Sequence, residues 1–193
     1  MLVLGSNSPR RRELLEAAGI KIDKIVTPNI DESLLKAEKP RVYVERMALS
    51  KSKVISKSEK DFVITADTIV TKGSRVLGKP ENEEVARKFL KLLSGCRHRV
   101  ITAVCLSFEN KLHLRIVETV VKLKNLSDSE LDRYLKCEEW RDKAGGYAIQ
   151  GRASTFIPFI SGSYSNVVGL PLMETTNLLI GAGYKFDDIE AKT

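Results

Sequence analysis

A turn near the N-terminus carries three consecutive arginines, Arg10, Arg11 and Arg12, directly after Ser8 and Pro9. Ser8 suits the N-cap of a helix and Pro9 suits its first position, so the arginines fall in the first helical turn. The free backbone N–H groups of such a turn, together with the positive end of the helix, form an anion site. Successive helical residues point about 100° apart, so the three arginines do not all face one ligand. We expect at least one of them to bind a phosphate; the alternative is that all three extend into solvent.

An aspartate, Asp67, follows a short apolar run over residues 62–66 that is typical of a buried strand. Polar residues at the end of such a strand are common catalytic groups in α/β proteins. A carboxylate in this place can hold a divalent metal ion or accept a proton from water. The alternative is an aspartate that only caps a turn.

Two glycine-containing segments could approach a phosphate closely. In the first, Gly78 and Pro80 define a turn that can aim the ammonium group of Lys79 at a phosphate. This turn is not a P-loop, because the GxxxxGK[ST] spacing is missing. The second segment, residues 142–151, contains two adjacent glycines and includes Gln150, whose amide can both donate and accept hydrogen bonds at the edge of a base. The alternatives are an ordinary surface turn and a flexible connection.

The elements that would position these residues alternate between strands and helices. The patterns predict strands at residues 1–5, 20–26, 62–66 and 156–160, and hairpins over 69–77 and 99–123. They predict helices over 9–18, from 40 onwards, after the caps at 82 and 127, and over 170–180. We therefore predict an α/β fold in which a mixed β-sheet is flanked by helices, with residues 1–193 in a single domain.

The composition limits where such a protein can act. The chain has 193 residues, a formal net charge of +7 and a hydrophobic fraction of 42%, which is typical of a globular domain and excludes a disordered tail. Its apolar runs are far shorter than the roughly 18 residues of a membrane span, and no signal-peptide core is present. Three scattered cysteines without a CxxC pair are typical of a reducing compartment. We expect a cytoplasmic protein without a membrane partner.

The positive charge favours an anionic partner, and a nucleic acid is one alternative. The single tryptophan, Trp140, and the scattered tyrosines do not form a base-stacking platform, so we expect no stable binding of nucleic acid. If the protein does not bind nucleic acid, its lysine-rich surface keeps it soluble. With only His98 and His113, a histidine-rich metal site is excluded, and the lack of a GxSxG motif argues against a serine hydrolase.

Taken together and in this order, the segments resemble those of the Maf-type nucleotide pyrophosphatases. The resemblance extends over residues 6–15, 30–32, 48–51, 66–68, 78–80, 94–95, 143–151 and 168–171. It implies an α/β fold, like that of the inosine triphosphatases, with two lobes around a central cleft. It also implies hydrolysis of nucleoside triphosphates to the monophosphate and pyrophosphate, a divalent cation (Mg²⁺ or Mn²⁺) and a homodimer. The alternative use of the same pocket is a nucleotide-binding regulator of cell division with little catalysis.

The resemblance further implies a role for each matching residue. Ser6 and Arg11 would hold the triphosphate, and Lys51 and Lys79 would neutralise it from the other side. In that family, three positions mark the branch that acts on dTTP and UTP, and the residues of this chain at all three match that branch: Arg10, Thr68 and Gln150.

Two carboxylates would handle the metal ion and the attacking water. The resemblance assigns them to Glu32 and Asp67, with Asp67 as the general base. Because Asp31 and Glu32 are adjacent, either of them can supply the loop carboxylate. CTP and modified pyrimidine triphosphates are further candidate substrates.

Overall fold

The computed structural model describes residues 1–55 and 58–186 and shows a seven-stranded mixed sheet. Its strands are β1 (Leu2–Gly5), β2 (Lys24–Ile25), β3 (Phe62–Lys72), β4 (Arg75–Leu77), β5 (Arg97–Phe108), β6 (Lys111–Lys122) and β7 (Phe159–Ser161). The order across the sheet is β2-β1-β3-β5-β6-β7, with β4 also paired to β3. Strand β1 is parallel to β2 and β3, whereas the other described pairs are antiparallel. The predicted α/β fold with a mixed sheet is therefore confirmed, and so are both predicted hairpins.

Helices flank this sheet. They are α1 (Pro9–Ala17), α2 (Pro40–Lys53), α3 (Glu83–Leu93), α4 (Asp128–Lys136), α5 (Tyr164–Val168) and α6 (Leu172–Gly181). The predicted caps of α3 and α4 are confirmed: the Asn82 side chain accepts from the Val85 N–H, and Ser127 forms a capping box with Glu130. Ser8 occupies the N-cap position of α1, but its side chain makes no capping hydrogen bond.

Alternate residues of β3 serve opposite faces of the sheet. On one face Ile69 packs in a cluster with Met47 of α2, and on the other Ile64 packs with Leu15 of α1. The second face carries two hydrophobic clusters, one beneath α1 and α6 and one beneath α3 and α4. Because side chains alternate along a strand, Asp67 faces α2 whereas Thr68 faces α1.

Strand β3 does not end at Asp67, as its apolar run predicted, but continues to Lys72. It continues because its pairing to β5 is unbroken on both sides of this residue. What changes near Asp67 is the strand pairing on the other edge of β3. There, β1 pairs only as far as Thr65, and β4 starts to pair at Val70. Among the described residues no strand covers the edge of β3 between these two points, so Asp67 lies at a gap in the sheet.

Three other local predictions differ from the structure. Residues 20–26 form only the short strand β2, because Ile20 and Ile22 pack into the core beneath α6 instead of extending the sheet. Strand β7 begins later than predicted, since the 3₁₀ turn Arg152–Phe156 buries Phe156 against the core. Helix α5 was not predicted, and its five residues are too few to show a helical pattern.

Among the described helices, none is both long and apolar enough to cross a bilayer. The predicted single domain reaches residue 193, and residues 56–57 and 187–193 lie outside the described part of the structure.

Candidate active site

A cavity of about 670 Å³ lies at the gap beside β3. Asp31, the alternative to Glu32, does not line this cavity, whereas nine residues assigned to the site from the sequence motifs do: Ser6, Arg10, Arg11, Glu32, Lys51, Asp67, Thr68, Lys79 and Gln150. They come from the turn after β1, α1, the loop before α2, α2 itself, β3, the turn after β4 and the glycine-rich segment. The fold thus brings together residues that are far apart in sequence, while their individual roles stay predictions.

The ammonium group of Lys51 lies between two carboxylates. Its Nζ atom is 2.7 Å from Oδ1 of Asp67 and 2.7 Å from Oε1 of Glu32. Lys51 and Asp67 are each only 8% exposed, because α2 packs over the face of β3 that carries Asp67. Two ionised carboxylates repel one another, so the cation between them holds both acids in one site.

The pKa values of the two acids shift in opposite directions. Burial raises the pKa of Asp67 above its ordinary value, although the positive charges of Lys51 and Arg11 oppose this shift. Partial burial also acts to raise the pKa of Glu32, but the hydrogen bond and charge of Lys51, with the charges of Lys79 and Arg11, hold that pKa below its ordinary value. Such a difference is typical of a site in which one carboxylate accepts a proton and the other stays ionised.

The loop before α2 presents Glu32, and not Asp31, to the cavity. The Tyr43 hydroxyl donates to the carbonyl oxygen of Glu32 at 2.8 Å, which ties the loop to α2. The Asp31 carboxylate instead accepts from the backbone N–H and the hydroxyl of Ser33, at 2.9 and 3.0 Å. Arg46 of α2 secures the same turn by donating to the Ser33 carbonyl oxygen at 2.9 Å. Of the two adjacent acids, Asp31 closes a turn and Glu32 pairs with Lys51.

Arg11 points inward from α1 and is held by three hydrogen bonds. Its Nε donates to the Gly169 carbonyl oxygen at 2.8 Å, Nη1 to Ser6 Oγ at 3.1 Å, and Nη2 to Thr68 Oγ1 at 3.2 Å. A guanidinium group has five N–H donors, so one donor remains on each terminal nitrogen. Arg12 forms an exposed i,i+4 salt bridge on the outside of α1, as expected if the three arginines cannot share one ligand.

The turn that carries Lys79 is joined to the glycine-rich segment by its backbone. The Gly145 N–H donates to the Gly78 carbonyl oxygen at 3.0 Å. Gly145 has a φ of +70°, and a Cβ atom there would lie 2.9 Å from the side chain of Val70, so this close approach requires glycine. Lys79 is exposed and makes no hydrogen bond or salt bridge within the described residues. Its ammonium group is therefore available to a ligand.

Lys143 is a cation of the cavity that the sequence analysis did not assign to the site. Its Nζ donates to the Arg141 carbonyl oxygen at 3.1 Å, and burial, with the charge of Arg10, lowers its pKa. Arg10 in turn donates to the Asp142 carbonyl oxygen at 3.0 Å. The available signal was a basic residue near the start of the glycine-rich segment, separated from Gly145 by Ala144.

Buried contacts fix the segment that carries Gln150. The Tyr147 hydroxyl hydrogen-bonds His98 Nε2 at 2.7 Å, and the Tyr134 hydroxyl accepts from the Ala148 N–H at 3.0 Å. Gln150 itself is exposed at the wall of the cavity. The backbone of the segment is thus held in place while the amide of Gln150 stays open to a ligand. Its predicted contact with a base stays a prediction.

The burial of His98 predicts a loss of stability in acid. Burial, with the charge of Lys72, lowers the pKa of His98 to about 4. In the unfolded chain that pKa is about 6.5, so below this pH only the unfolded chain gains the proton. We expect the His98 contribution to the free energy of unfolding to fall by about 3 kcal/mol between pH 6.5 and 4. Urea unfolding at several pH values measures it, and His98→Gln should flatten the profile; a variant profile as steep as that of the wild type would contradict this.

Comparison with known proteins identifies the family. A family model described as "Maf-like protein" matches residues 1–182. The chain belongs to the Maf family. This match confirms the resemblance that the sequence motifs carry, and it includes every residue that lines the cavity.

Relatives of this Maf-family chain have consistent names. A "dTTP/UTP pyrophosphatase" of Roseobacter denitrificans is 50% identical over 185 residues, covering 96% of this chain and 98% of the relative. One of Cereibacter sphaeroides with the same name is 52% identical over 182 residues, covering 94% and 95%. A "Nucleoside triphosphate pyrophosphatase" of Anaplasma marginale is 50% identical over 182 residues, covering 93% of each chain. Among solved structures, the Staphylococcus aureus Ham1 protein aligns with a TM-score of 0.42 at 16% identity, over 63% of this chain and 71% of that chain, a likeness too low to support any inference.

The donor set of the Maf-family cavity fits one kind of metal site. In residues 1–55 and 58–186, no group of three or more His, Cys, Asp or Glu side chains is arranged to hold an ion. Glu32 and Asp67 contribute two carboxylates. Mg²⁺ is commonly bound through one or two carboxylates together with oxygens of a substrate phosphate. The residues therefore fit a divalent cation that binds with a phosphorylated substrate, and they do not fit an all-protein cage.

Proposed function

We propose that this Maf-family chain hydrolyses dTTP and UTP to the nucleoside monophosphate and pyrophosphate. The observation that carries the proposal is the single cavity in which Lys51 bridges Glu32 and Asp67 beside the turn of Arg11. Relatives at 50% and 52% identity that are named for these two substrates support it. CTP and pyrimidine triphosphates modified on the base are further candidate substrates.

Cations on two sides of the cavity bind the triphosphate. Arg11 offers its two remaining N–H groups on one side, and Lys79 and Lys143 offer their ammonium groups on the other. The Ser6 hydroxyl, which accepts from Arg11, keeps its own proton to donate to a phosphate oxygen. These charges reduce the repulsion of an incoming water oxygen, and they stabilise the negative charge that develops on the departing pyrophosphate.

Asp67 acts as the general base. Its Oδ1 is held by Lys51, whereas Oδ2 makes no hydrogen bond to the described residues and is open to a water molecule. In the reaction the water proton moves to Oδ2 while the water oxygen forms a bond to the α-phosphorus. The bond from the α-phosphorus to the bridging oxygen breaks, and its electron pair leaves with pyrophosphate. Burial strengthens this base, because a raised pKa lies closer to neutral pH.

Glu32 and Asp67 would hold Mg²⁺ or Mn²⁺ together with the substrate. When bound, such an ion supplies Lewis-acid stabilisation of phosphate oxygens. Lys51 contacts one oxygen of each carboxylate, so both acids keep lone pairs for the ion besides the Oδ2 position of Asp67 that faces the attacking water. The identity of the metal and the homodimer stay predictions of the family resemblance, and the cytoplasmic location stays a prediction from the composition of the sequence.

Incubation of the purified chain with UTP and Mg²⁺ tests the proposed function. We expect pyrophosphate and UMP to appear together, in equal amounts and in proportion to time. Binding of UTP without product would instead indicate the alternative, a nucleotide-binding regulator. Release of orthophosphate would indicate cleavage at the γ-phosphorus and would contradict the proposed reaction.

Substitutions of Gln150 test how the base is selected. Gln150→Leu cannot hydrogen-bond a base, so we expect the ratio of kcat/KM for UTP over GTP to fall roughly tenfold, with a smaller loss of kcat. Gln150→Glu can only accept hydrogen bonds, so it should favour CTP, whose base edge carries an amino donor, over UTP. Arg152→Leu, close in sequence but outside the cavity, is the control. Equal losses for every nucleotide would count against this role.

A further inference from the structure

A chain of hydrogen bonds runs from the cavity into the interior of the sheet. Arg11 Nη2 donates to Thr68 Oγ1 at 3.2 Å, and Thr68 Oγ1 lies 3.0 Å from Thr102 Oγ1. Thr102 Oγ1 donates to the backbone carbonyl oxygen of Asn166 at 3.2 Å. Thr68 and Thr102 are direct cross-strand partners in β3 and β5, so the register of the sheet places their hydroxyl groups side by side.

The donor and the acceptor at each step of this hydrogen-bond chain follow from counting hydroxyl protons. A carbonyl oxygen only accepts, so the single hydroxyl proton of Thr102 is committed to Asn166. Thr102 can then only accept from Thr68. The single proton of Thr68 goes to Thr102, its nearer acceptor at 3.0 Å, and not to the Gly169 carbonyl oxygen at 3.3 Å, while a lone pair of Thr68 accepts from Arg11. Each link then donates inward, an arrangement in which hydrogen bonds strengthen one another.

The inner end of the chain is anchored in the core. Asn166 is fully buried, and its Nδ2 donates to the Val100 carbonyl oxygen at 3.2 Å and to Thr119 Oγ1 at 2.9 Å. Thr119 Oγ1 also accepts from the Ser163 N–H at 3.0 Å, which secures the start of α5. Thr102 is fully buried as well and does not line the cavity. This series of hydrogen bonds therefore links Thr68, which lines the cavity, to a rigid part of the sheet.

We infer that Thr102 is a positioning residue for triphosphate binding. It orients the Thr68 hydroxyl, and through Thr68 it orients the guanidinium group of Arg11, so that the two free N–H groups of Arg11 face the ligand. The inference rests on the proposed function, and it extends the site by one layer beyond the residues that line the cavity. Because Thr102 acts on the binding of phosphate and not on the attacking water, its removal should affect affinity more than the rate of the chemical step.

Thr102→Val tests the inference, because valine keeps the shape of threonine and removes the hydroxyl. We expect KM for UTP to rise about 3- to 10-fold, the size of one hydrogen bond, while kcat stays within about twofold. Thr102→Ser restores the hydroxyl and should return KM to the wild-type value. Thr175→Val is the matched control, since Thr175 is 1% exposed and donates to the Pro171 carbonyl oxygen within α6, without a link to Arg11.

Double variants separate positioning from a general structural effect. In an Arg11→Ala background, Thr102→Val should cause no further rise in KM, because the group that it positions is absent. In an Arg12→Ala background, Thr102→Val should cause its full effect, since Arg12 lies outside the cavity. Additive effects in the Arg11→Ala background, or a wild-type KM for Thr102→Val alone, would overturn the inference.

Binding of α,β-methylene-UTP, measured by calorimetry, separates this inference from the proposed reaction. The compound carries a carbon link in place of the bridging oxygen that the reaction would release, so its binding does not depend on turnover. A wild-type chain that binds the compound but releases no pyrophosphate from UTP would contradict the proposed function alone. Equal affinities of wild type and Thr102→Val for the compound would contradict the inference alone.

Discussion

Replacement of Asp67 by asparagine is expected to reduce kcat for UTP hydrolysis by about 10²–10⁴-fold, the usual contribution of a general base. Asparagine has the size and shape of aspartate, but its amide does not accept a proton from water at neutral pH. The buried carboxylate is lost, while Lys51 keeps its second partner, Glu32, at 2.7 Å. We therefore expect the variant to fold, with a far-UV circular dichroism spectrum like that of the wild type.

Asp61→Asn provides a matched control for this experiment. Asp61 has the same 8% exposure as Asp67, but its carboxylate accepts from the Ser58 N–H and lies 3.5 Å from the N-terminal amine, away from the cavity. Pyrophosphate release by Asp61→Asn should match that of the wild type. Near-normal turnover by a folded Asp67→Asn variant would defeat the assignment of Asp67 as the base.

Lys51→Met is expected to lower both activity and stability. Removal of a buried cation from a phosphate site should reduce kcat/KM by about 10²–10³-fold, as the loss of a single transition-state donor does in other enzymes. The Asp67 carboxylate would also be left buried without its nearest cation, a loss of up to about 3–5 kcal/mol in the free energy of unfolding. Pyrophosphate release and urea unfolding at pH 8 measure the two effects.

Two further variants separate these effects of Lys51. Lys53→Met changes an exposed lysine of the same helix, two residues away, and should leave both properties unchanged. The double variant Lys51→Met/Asp67→Asn removes both members of the buried pair, so it should regain most of the stability and none of the activity. A double variant as unstable as Lys51→Met alone would show that the pair does not explain the loss.

Much of the fold could be predicted from local sequence patterns. Pro9, Pro40, Asn82 and Ser127 each stand at the start of the helix that the sequence predicts there. These signals are reliable because a cap or a first-turn proline acts on backbone groups within a few residues of itself. Because such signals report only on near neighbours in sequence, the end of β3 was predicted wrongly. The apolar run stops at Asp67, but the strand continues because β5, a distant part of the chain, keeps pairing with it.

The site shows a similar division between local and distant causes. The residue types and their order pointed to a triphosphate, and every residue proposed from them except the alternative Asp31 lines one cavity. The choice between Asp31 and Glu32 could not be made from two adjacent acids, since it depends on Lys51 and Tyr43 across the cavity. Lys143 was likewise missed, because its position in the site depends on how the glycine-rich segment packs.

By itself, the amino-acid sequence determined the described helices other than α5, the alternation of the strands, the chemical types in the site and the family. Only the tertiary structure decided that a gap beside β3 exposes Asp67 and Thr68 together, although alternation turns them to opposite faces of the sheet. It also decided that Arg11 binds the carbonyl oxygen of Gly169, 158 positions away. The physical reason is range: capping and periodicity act between near neighbours in sequence, whereas a binding site is built from contacts that chain folding alone brings within hydrogen-bonding distance.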